Sequence, residues 1–87
     1  MPYIKPHLRV SMDSGQLPTC PGELNYCITQ LIDGYLQRNP RSYMRINEVI
    51  GVLECAKLEA YRRIAVPYED IQHAANGDVY SQENLGL

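Results

Sequence analysis

The sequence YMRINEVIGVLECAKLEAYRRIAV, from Tyr43 to Val66, decides the predicted fold. Ser42 stands directly before this stretch as a candidate N-cap, and Pro67, directly after it, lacks the amide hydrogen that a helix interior requires. Between these two residues, apolar side chains recur at the spacing of one helical face. We therefore predict a central helix over residues 43–66, about 36 Å long if it is straight.

This central helix carries more apolar surface than one short partner helix can cover. A first apolar row, interrupted at Lys57, contains Ile46, Val49, Ile50, Leu53, Ala60, Tyr61 and Ile64, and a second row contains Val52, Cys55, Ala56 and, nearby, Leu58. Either several elements of one chain surround the helix, or a second copy of the chain does. Because small residues in it permit close helix approach and so short a chain gains stability from assembly, we predict a dimer or tetramer. Its predicted seam contains Ile50, Gly51, Leu53, Ala56 and Ala60.

A second helix precedes the central one in this predicted all-α protein. Apolar residues between Leu24 and Tyr35 recur at helical spacing and predict a helix over residues 22–38. The link at residues 39–41 is short, so we expect the two helices to form an antiparallel hairpin. The 87 residues are expected to form one domain.

The two ends of the chain carry less regular patterns. Residues 1–20 are rich in Pro and predict an irregular or partly extended arm, with room for one helical turn at His7–Met12. Pro67 is expected to end the central helix, and a short helix over residues 67–76 is expected to stop at Gly77. Residues 77–87 are predicted to form an irregular tail.

Charge is unevenly distributed along this chain, whose net charge is −2. From Arg38 to Arg63 there are six basic residues and three glutamates, whereas no Lys or Arg follows Tyr68. A net negative charge argues against sequence-independent binding to long nucleic acid. A locally basic surface on an acidic protein favours a small anion as the ligand.

The sequence predicts a soluble protein of the reducing cytoplasm. It has no run of about 18 apolar residues for a membrane span, and its start does not resemble a signal peptide. Cys20, Cys27 and Cys55 are odd in number and show no C-x-x-C spacing, so neither a disulfide framework nor a zinc site is predicted. His7 and His73 have no set of neighbouring ligands, and we predict no metal and no cofactor.

No constellation in the sequence predicts catalysis. Glu48, Glu54 and Glu59 are not three or four residues apart, so their carboxylates do not share a helical face. Surface ion pairs such as Glu54–Lys57 and Glu59–Arg63 explain these glutamates better. Since no histidine is near a cysteine to activate its thiol, we predict that the protein is not an enzyme and has no catalytic residue.

Several motifs together are similar to those of one family. They are Met1-Pro2-Tyr3-Ile4-Lys5-Pro6, Leu24-Asn25-Tyr26-Cys27-Ile28-Thr29, INEVIGVLECAKLE from Ile46 to Glu59, Tyr61-Arg62-Arg63, Pro67-Tyr68-Glu69-Asp70 and Asn76-Gly77-Asp78-Val79-Tyr80. In these motifs the chain resembles a family of short uncharacterised proteins from bacteria and their phages. The resemblance spans most of the chain, implies such an origin and implies no activity.

The residues predicted to bind an anionic ligand lie at the two ends of the central helix. A planar guanidinium binds phosphate through two hydrogen bonds, and a tyrosine ring offers a stacking face for a nucleobase. The candidate residues are Arg45, Tyr61, Arg62, Arg63 and Tyr68. The alternative for these arginines is structural, because exposed arginines pair with glutamates and cations near a helix C-terminus complement its dipole.

Two hypotheses for the function follow from these patterns. In the first, the protein is a non-enzymatic homo-oligomer, encoded by a phage, that sequesters a small anionic ligand such as a cyclic nucleotide signal at its subunit seams. In the second, it is an accessory protein that docks its helical hairpin on a larger protein partner. Both hypotheses require the wide apolar face of the central helix, so the sequence does not separate them.

Overall fold

A computed structural model describes residues 1–39 and 42–86, and within them it contains helices and no strand. The first two helices are α1 (Pro6–Asp13) and α2 (Pro21–Arg38). The third, called the long helix below, consists of α3 (Tyr43–Ala60), a π-helical turn (Tyr61–Ala65) and α4 (Val66–Asn76). The predicted all-α class is confirmed. The chain divides into two compact units, Met1–Val49 and Ile50–Leu87, which we describe separately.

The first unit is organised by the packing of α1 against α2. Met12 in α1 and Tyr26 in α2 are its buried hydrophobic residues. The Tyr26 hydroxyl donates to the Asp13 carboxylate, with oxygen–oxygen distances of 2.9 and 3.1 Å. Burial and this hydrogen bond both raise the pKa of Tyr26, since each favours the protonated phenol.

The N-terminal arm is more regular than the sequence predicted. Eight residues, Pro6–Asp13, form α1, so the helical turn expected at His7–Met12 is present and extends by one residue at each end. Pro6 lies in the first turn, where its missing amide hydrogen costs no helical bond. The contact of α1 with α2 joins residues that are distant in sequence, so the spacing of neighbouring residues does not predict it.

The start of α2 is held by side chains and by the N-terminal arm. The buried Glu23 carboxylate accepts hydrogen bonds from the Thr19 amide at 2.9 Å and the Thr19 hydroxyl at 3.1 Å. A Cβ atom placed on Gly22 would lie 3.2 Å from Cγ2 of Ile4, so the arm packs closely against this turn. The predicted helix over residues 22–38 is confirmed, with its first residue at Pro21.

The long helix begins where the sequence predicted. The Ser42 hydroxyl accepts a hydrogen bond from the Arg45 amide at 3.3 Å, and the Ser42 carbonyl accepts one from the Ile46 amide, as expected of an N-cap. The predicted link at residues 39–41 includes Pro40 and Arg41, which lie outside the described residues.

One polar contact joins the last turn of α2 to the first turns of α3. The Tyr35 hydroxyl donates to the Glu48 carboxylate at 2.6 Å, and the Arg45 guanidinium donates to both carboxylate oxygens at 3.2 and 3.0 Å. The hydrogen bond from Tyr35 and then that from Arg45 hold the pKa of Glu48 below its ordinary value of 4.5. The same bond raises the pKa of Tyr35.

The prediction that the central helix ends before Pro67 is wrong. Helical backbone continues without interruption through Pro67 to Asn76. The π-helical turn directly before Pro67 explains this, because its bonds reach five residues back, as from the Val66 amide to the Tyr61 carbonyl. Pro67 lies in the first turn of α4, directly after the π-helical turn, and the helix continues there with one backbone hydrogen bond fewer.

The predicted stop signal after the long helix is confirmed. Gly77 has a φ of 87°, a conformation that favours glycine, and its amide donates to the His73 carbonyl at 2.9 Å. The tail then folds back by a short polar contact, in which the His73 imidazole lies 3.5 Å from the Asp78 carboxylate. The Tyr80 amide donates to Asp78 and is the main cause of the lowered pKa of that carboxyl.

We expect Met12→Ala to lower the free energy of unfolding by about 2–3 kcal/mol, because it opens a cavity in the contact between α1 and α2. Val10→Ala is the matched control, since Val10 lies in the same helix with its side chain exposed, and it should change stability by less than about 0.5 kcal/mol. Urea unfolding followed by circular dichroism measures both. Equal effects of the two substitutions would contradict the packing described for α1.

Acid should weaken the contact of Tyr35 with Glu48. The pKa of Glu48 is lowered in the folded chain, so its carboxylate contributes stability above pH 4.5, and this contribution is lost as the pH falls below that value. Glu48→Gln should therefore melt at a lower temperature near neutral pH and lose less stability on acidification than the wild type. Glu54→Gln, in the same helix, is the control and should keep the wild-type acid dependence. A Glu48→Gln profile parallel to that of the wild type would contradict the assignment.

Candidate functional site

The five predicted ligand residues fall into two groups. Tyr61, Arg62 and Arg63 are consecutive in the π-helical turn, and Tyr68 lies in the first turns of α4, all within the second unit. Arg45 lies in the first unit, near the start of α3. The candidate site described below therefore consists of the four residues around the π-helical turn.

Arg45 is engaged by its own chain. Its guanidinium forms an ion pair with Glu48 at 3.0 Å, and hydrogen bonding to this carboxylate is the main cause of its raised pKa. A phosphate group would have to compete with Glu48 for the same donors. These contacts agree with the alternative given above, in which exposed arginines pair with glutamates of the same chain.

The two arginines of the π-helical turn differ in their partners. Arg62 donates to both carboxylate oxygens of Glu59, at 2.9 and 3.0 Å. The predicted pair Glu59–Arg63 is therefore wrong, whereas the predicted pair Glu54–Lys57 is confirmed at 3.5 Å. Among residues 1–39 and 42–86, no carboxylate lies within 4.0 Å of the Arg63 guanidinium.

Two exposed aromatic rings lie on the same stretch of helix as Arg63, at Tyr61 two residues before it and at Tyr68 five residues after it. The side chains of Tyr61 and Tyr68 are 52% and 64% exposed, so both rings are accessible to a planar ligand. The ion pair of Arg62 with Glu59 is also exposed, and such pairs contribute at most about 1 kcal/mol, so a ligand phosphate can compete for it. The arrangement offers up to two guanidinium groups and two stacking faces.

The π-helical turn is the feature of this site that sequence reasoning missed. Short π-helical turns inside α-helices occur frequently at functional sites, because the extra residue changes the direction of the side chains around it. The available signal was Pro67 inside a stretch that otherwise continues at helical spacing to Asn76. It was interpreted as a helix end, since a proline more often stops a helix than follows a π-helical turn.

Two grooves were also not foreseen. A groove of about 400 Å³ in the second unit lies between α4 and the tail, and it is bordered by Glu69, Asp70, His73, Asp78 and Tyr80. Its three carboxylates disfavour an anion. A groove of about 350 Å³ in the first unit is bordered by Met12, Asp13, Tyr26, Cys27, Gln30 and Leu31. Neither groove includes a residue of the candidate site.

The side chains of the described residues do not form a metal centre. No group of three or more His, Cys, Asp or Glu residues among them is arranged to hold a metal ion. Cys20, Cys27 and Cys55 are all free thiols. No helix in the described part of the chain is both long and apolar enough to cross a membrane.

Comparison with known proteins assigns the chain to a family. Searches of curated proteins and of solved structures found no match. A family described as a domain of unknown function (DUF6899) matches residues 1–79, which include all the helices and end in the first residues of the tail. The expected membership of an uncharacterised family is confirmed: the chain belongs to the DUF6899 family.

Proposed function

We propose that this protein is a non-enzymatic homo-oligomer that binds a small anionic ligand, such as a nucleotide, at its subunit seams. The observation that carries this proposal is the accessibility of the long helix. Among the described residues, Met12 and Tyr26 are the only buried hydrophobic side chains, and neither lies in the long helix. The apolar rows of that helix therefore remain available to a partner.

Apolar side chains of the long helix within the second unit are available for assembly. Five large ones are between 55% and 72% exposed: Ile50, Val52, Leu58, Ile64 and Ile71. Burial of apolar surface is the main favourable term in association, so a second copy of the chain would be stabilised by packing on these side chains.

The proposed seam residues are accessible in the single chain. Leu53 is half-buried, and the other four are exposed: Ile50, Gly51, Ala56 and Ala60. A Cβ atom added at Gly51 would meet nothing within 4 Å, so the chain itself does not require glycine there. Glycine at this position is favoured by close approach of another helix.

The anionic ligand is proposed from the chemistry of the π-helical turn. Arg63 has no carboxylate partner among the described residues, and the exposed rings of Tyr61 and Tyr68 lie within two turns of it. A guanidinium that is not neutralised by its own chain favours a phosphate, and exposed flat rings on the same stretch of helix favour a nucleobase. The net charge of −2 favours a small nucleotide over a long nucleic acid.

The setting that we propose is the bacterial cytoplasm during phage infection. Three free thiols suit a reducing compartment, and the motifs resemble proteins of bacteria and their phages. A protein that binds a nucleotide signal without transforming it needs no catalytic groups. Its effect depends on the concentration of binding sites relative to the signal, as mass action requires.

Assembly is tested by the mass of the protein in solution. The wild type should be a dimer or tetramer at micromolar concentration by light scattering. Ala56→Glu should give monomer or aggregate, because an unpaired charge buried in a seam costs several kcal/mol. Gln82→Glu, which adds a charge at an exposed position of the tail, should keep the wild-type mass. A monomeric wild type would contradict the proposed assembly.

Ligand binding is tested by a thermal-shift panel of cyclic dinucleotides and mononucleotides, followed by calorimetry. We expect at least one nucleotide to raise the melting temperature of the wild type. Arg63→Ala should weaken its binding about 10- to 100-fold, and Arg63→Lys should recover only part of the loss, since lysine lacks the planar fork. Lys57→Ala is the control for general loss of positive charge. If no member stabilises the protein at millimolar concentration, the docking of this helix on a larger protein replaces the present proposal.

A further inference from the structure

The π-helical turn changes which residues of the long helix point in the same direction. Five turns of an α-helix hold about 18 residues, so residues 18 apart share one direction. The bonds of a π-helical turn close five residues back, as from the Val66 amide to the Tyr61 carbonyl, so the turn accommodates one more residue. Across Tyr61–Ala65, the matching separation therefore becomes 19 residues.

With this separation, the second apolar row of α3 continues into α4. Three of its members are matched by an apolar residue on the far side of the turn, whereas Leu58 would align with Gly77, outside α4. The pairs are Val52 with Ile71, Cys55 with Ala74, and Ala56 with Ala75. We call these six residues the offset face; all of them are exposed and all lie in the second unit.

The first apolar row does not continue in this way. In α4, the residue matched to Ile50 is Glu69, and the residue matched to Leu53 is Gln72. Without the π-helical turn, residues 18 apart would share one direction, and Leu53 of the first row would then align with Ile71. The offset face is therefore the apolar face that spans both α-helical segments of the long helix.

The side chains of the offset face suit the close packing of two helices. Val52 and Ile71, near its two ends, are 66% and 65% exposed in the single chain. The other four members are cysteine and alanine side chains, which allow helix axes to approach to about 8 Å. Glu59 and Arg63 lie at the same helical spacing between the two halves of the face. Isolated apolar residues on a surface need no explanation, but an aligned set on a helix of 34 residues does.

Charge identifies the occupant of this face and its direction. Residues 45–63 contain four basic and three acidic side chains, whereas residues 64–86 contain four acidic side chains and no Lys or Arg. A parallel second copy would place the acidic segments side by side, but an antiparallel copy places each acidic segment against the more basic one. The charges of two copies are thus complementary in the antiparallel orientation.

We propose that the offset face is the seam at which a second copy of this chain binds in antiparallel orientation. The inference rests on the proposed self-assembly and moves its seam to the offset face, which shares Ala56 with the seam predicted from the sequence. The middle of the offset face lies at Arg63 and Ile64, so the two-fold axis passes beside the two π-helical turns. Each ligand site then receives Arg63 from both copies, and the site is incomplete in a monomer.

Two substitutions at neighbouring positions test the face. Ala75→Glu places a charge in the offset face and should raise the dimer dissociation constant at least 10-fold. Asn76→Glu adds the same charge one residue later, outside the face, and should leave the dissociation constant within about twofold. Analytical ultracentrifugation gives both constants, and circular dichroism of each variant checks that the helix is intact. Equal effects of the two substitutions, or no effect of Ala75→Glu, would overturn the proposal.

Orientation is tested independently by cross-linking. In a protein carrying Cys20→Ser, Cys27→Ser and Ala74→Cys, mild oxidation should join Cys55 of one copy to position 74 of the other, because an antiparallel seam brings these positions together. Peptide mapping identifies the linked residues. Links of position 55 to position 55 would show a parallel pair and overturn the proposal. A wild-type monomer at high micromolar concentration would instead overturn the self-assembly on which it rests.

Discussion

A helix that passes through Pro67 must do without one backbone hydrogen bond and must make room for a pyrrolidine ring. The π-helical turn at Tyr61–Ala65 meets both requirements, since α4 then begins at Val66 with the proline in its first turn. The two α-helical segments are thereby joined in one helix from Tyr43 to Asn76. The direction of every side chain from Val66 onward depends on this adjustment, and so does the set of apolar residues that can meet a partner.

Local signals predicted the elements that local chemistry determines. Ser42 was recognised as an N-cap because its hydroxyl bonds an amide three residues away, and Gly77 was recognised as a stop because its positive φ favours glycine. The helix over residues 22–38 followed from its apolar spacing. The expected turn at His7–Met12 is shorter than α1 by one residue at each end, and the contact of Asp13 with Tyr26, thirteen residues away, does not follow from local spacing.

The sequence predicted which residues belong to the candidate site, but not which glutamate pairs with which arginine. Glu59 has an arginine three residues later and another four residues later, and helical spacing permits a contact with either. In the structure it pairs with Arg62, at the start of the π-helical turn, and this choice leaves Arg63 for another partner. Arg45 illustrates the opposite case, because Glu48 and Tyr35 come together only when α2 meets α3. Sequence spacing alone does not rank these contacts.

The close approach of the N-terminal arm to α2 has a consequence for sequence variation in the family. A methyl group at position 22 would lie 3.2 Å from the Cγ2 atom of Ile4, so an alanine there displaces that side chain. A larger residue at position 22 is therefore accommodated more easily when position 4 carries a smaller or unbranched side chain. The two positions, eighteen residues apart, are therefore expected to covary among relatives. Such covariation would indicate that the arm packs on α2 in those proteins too.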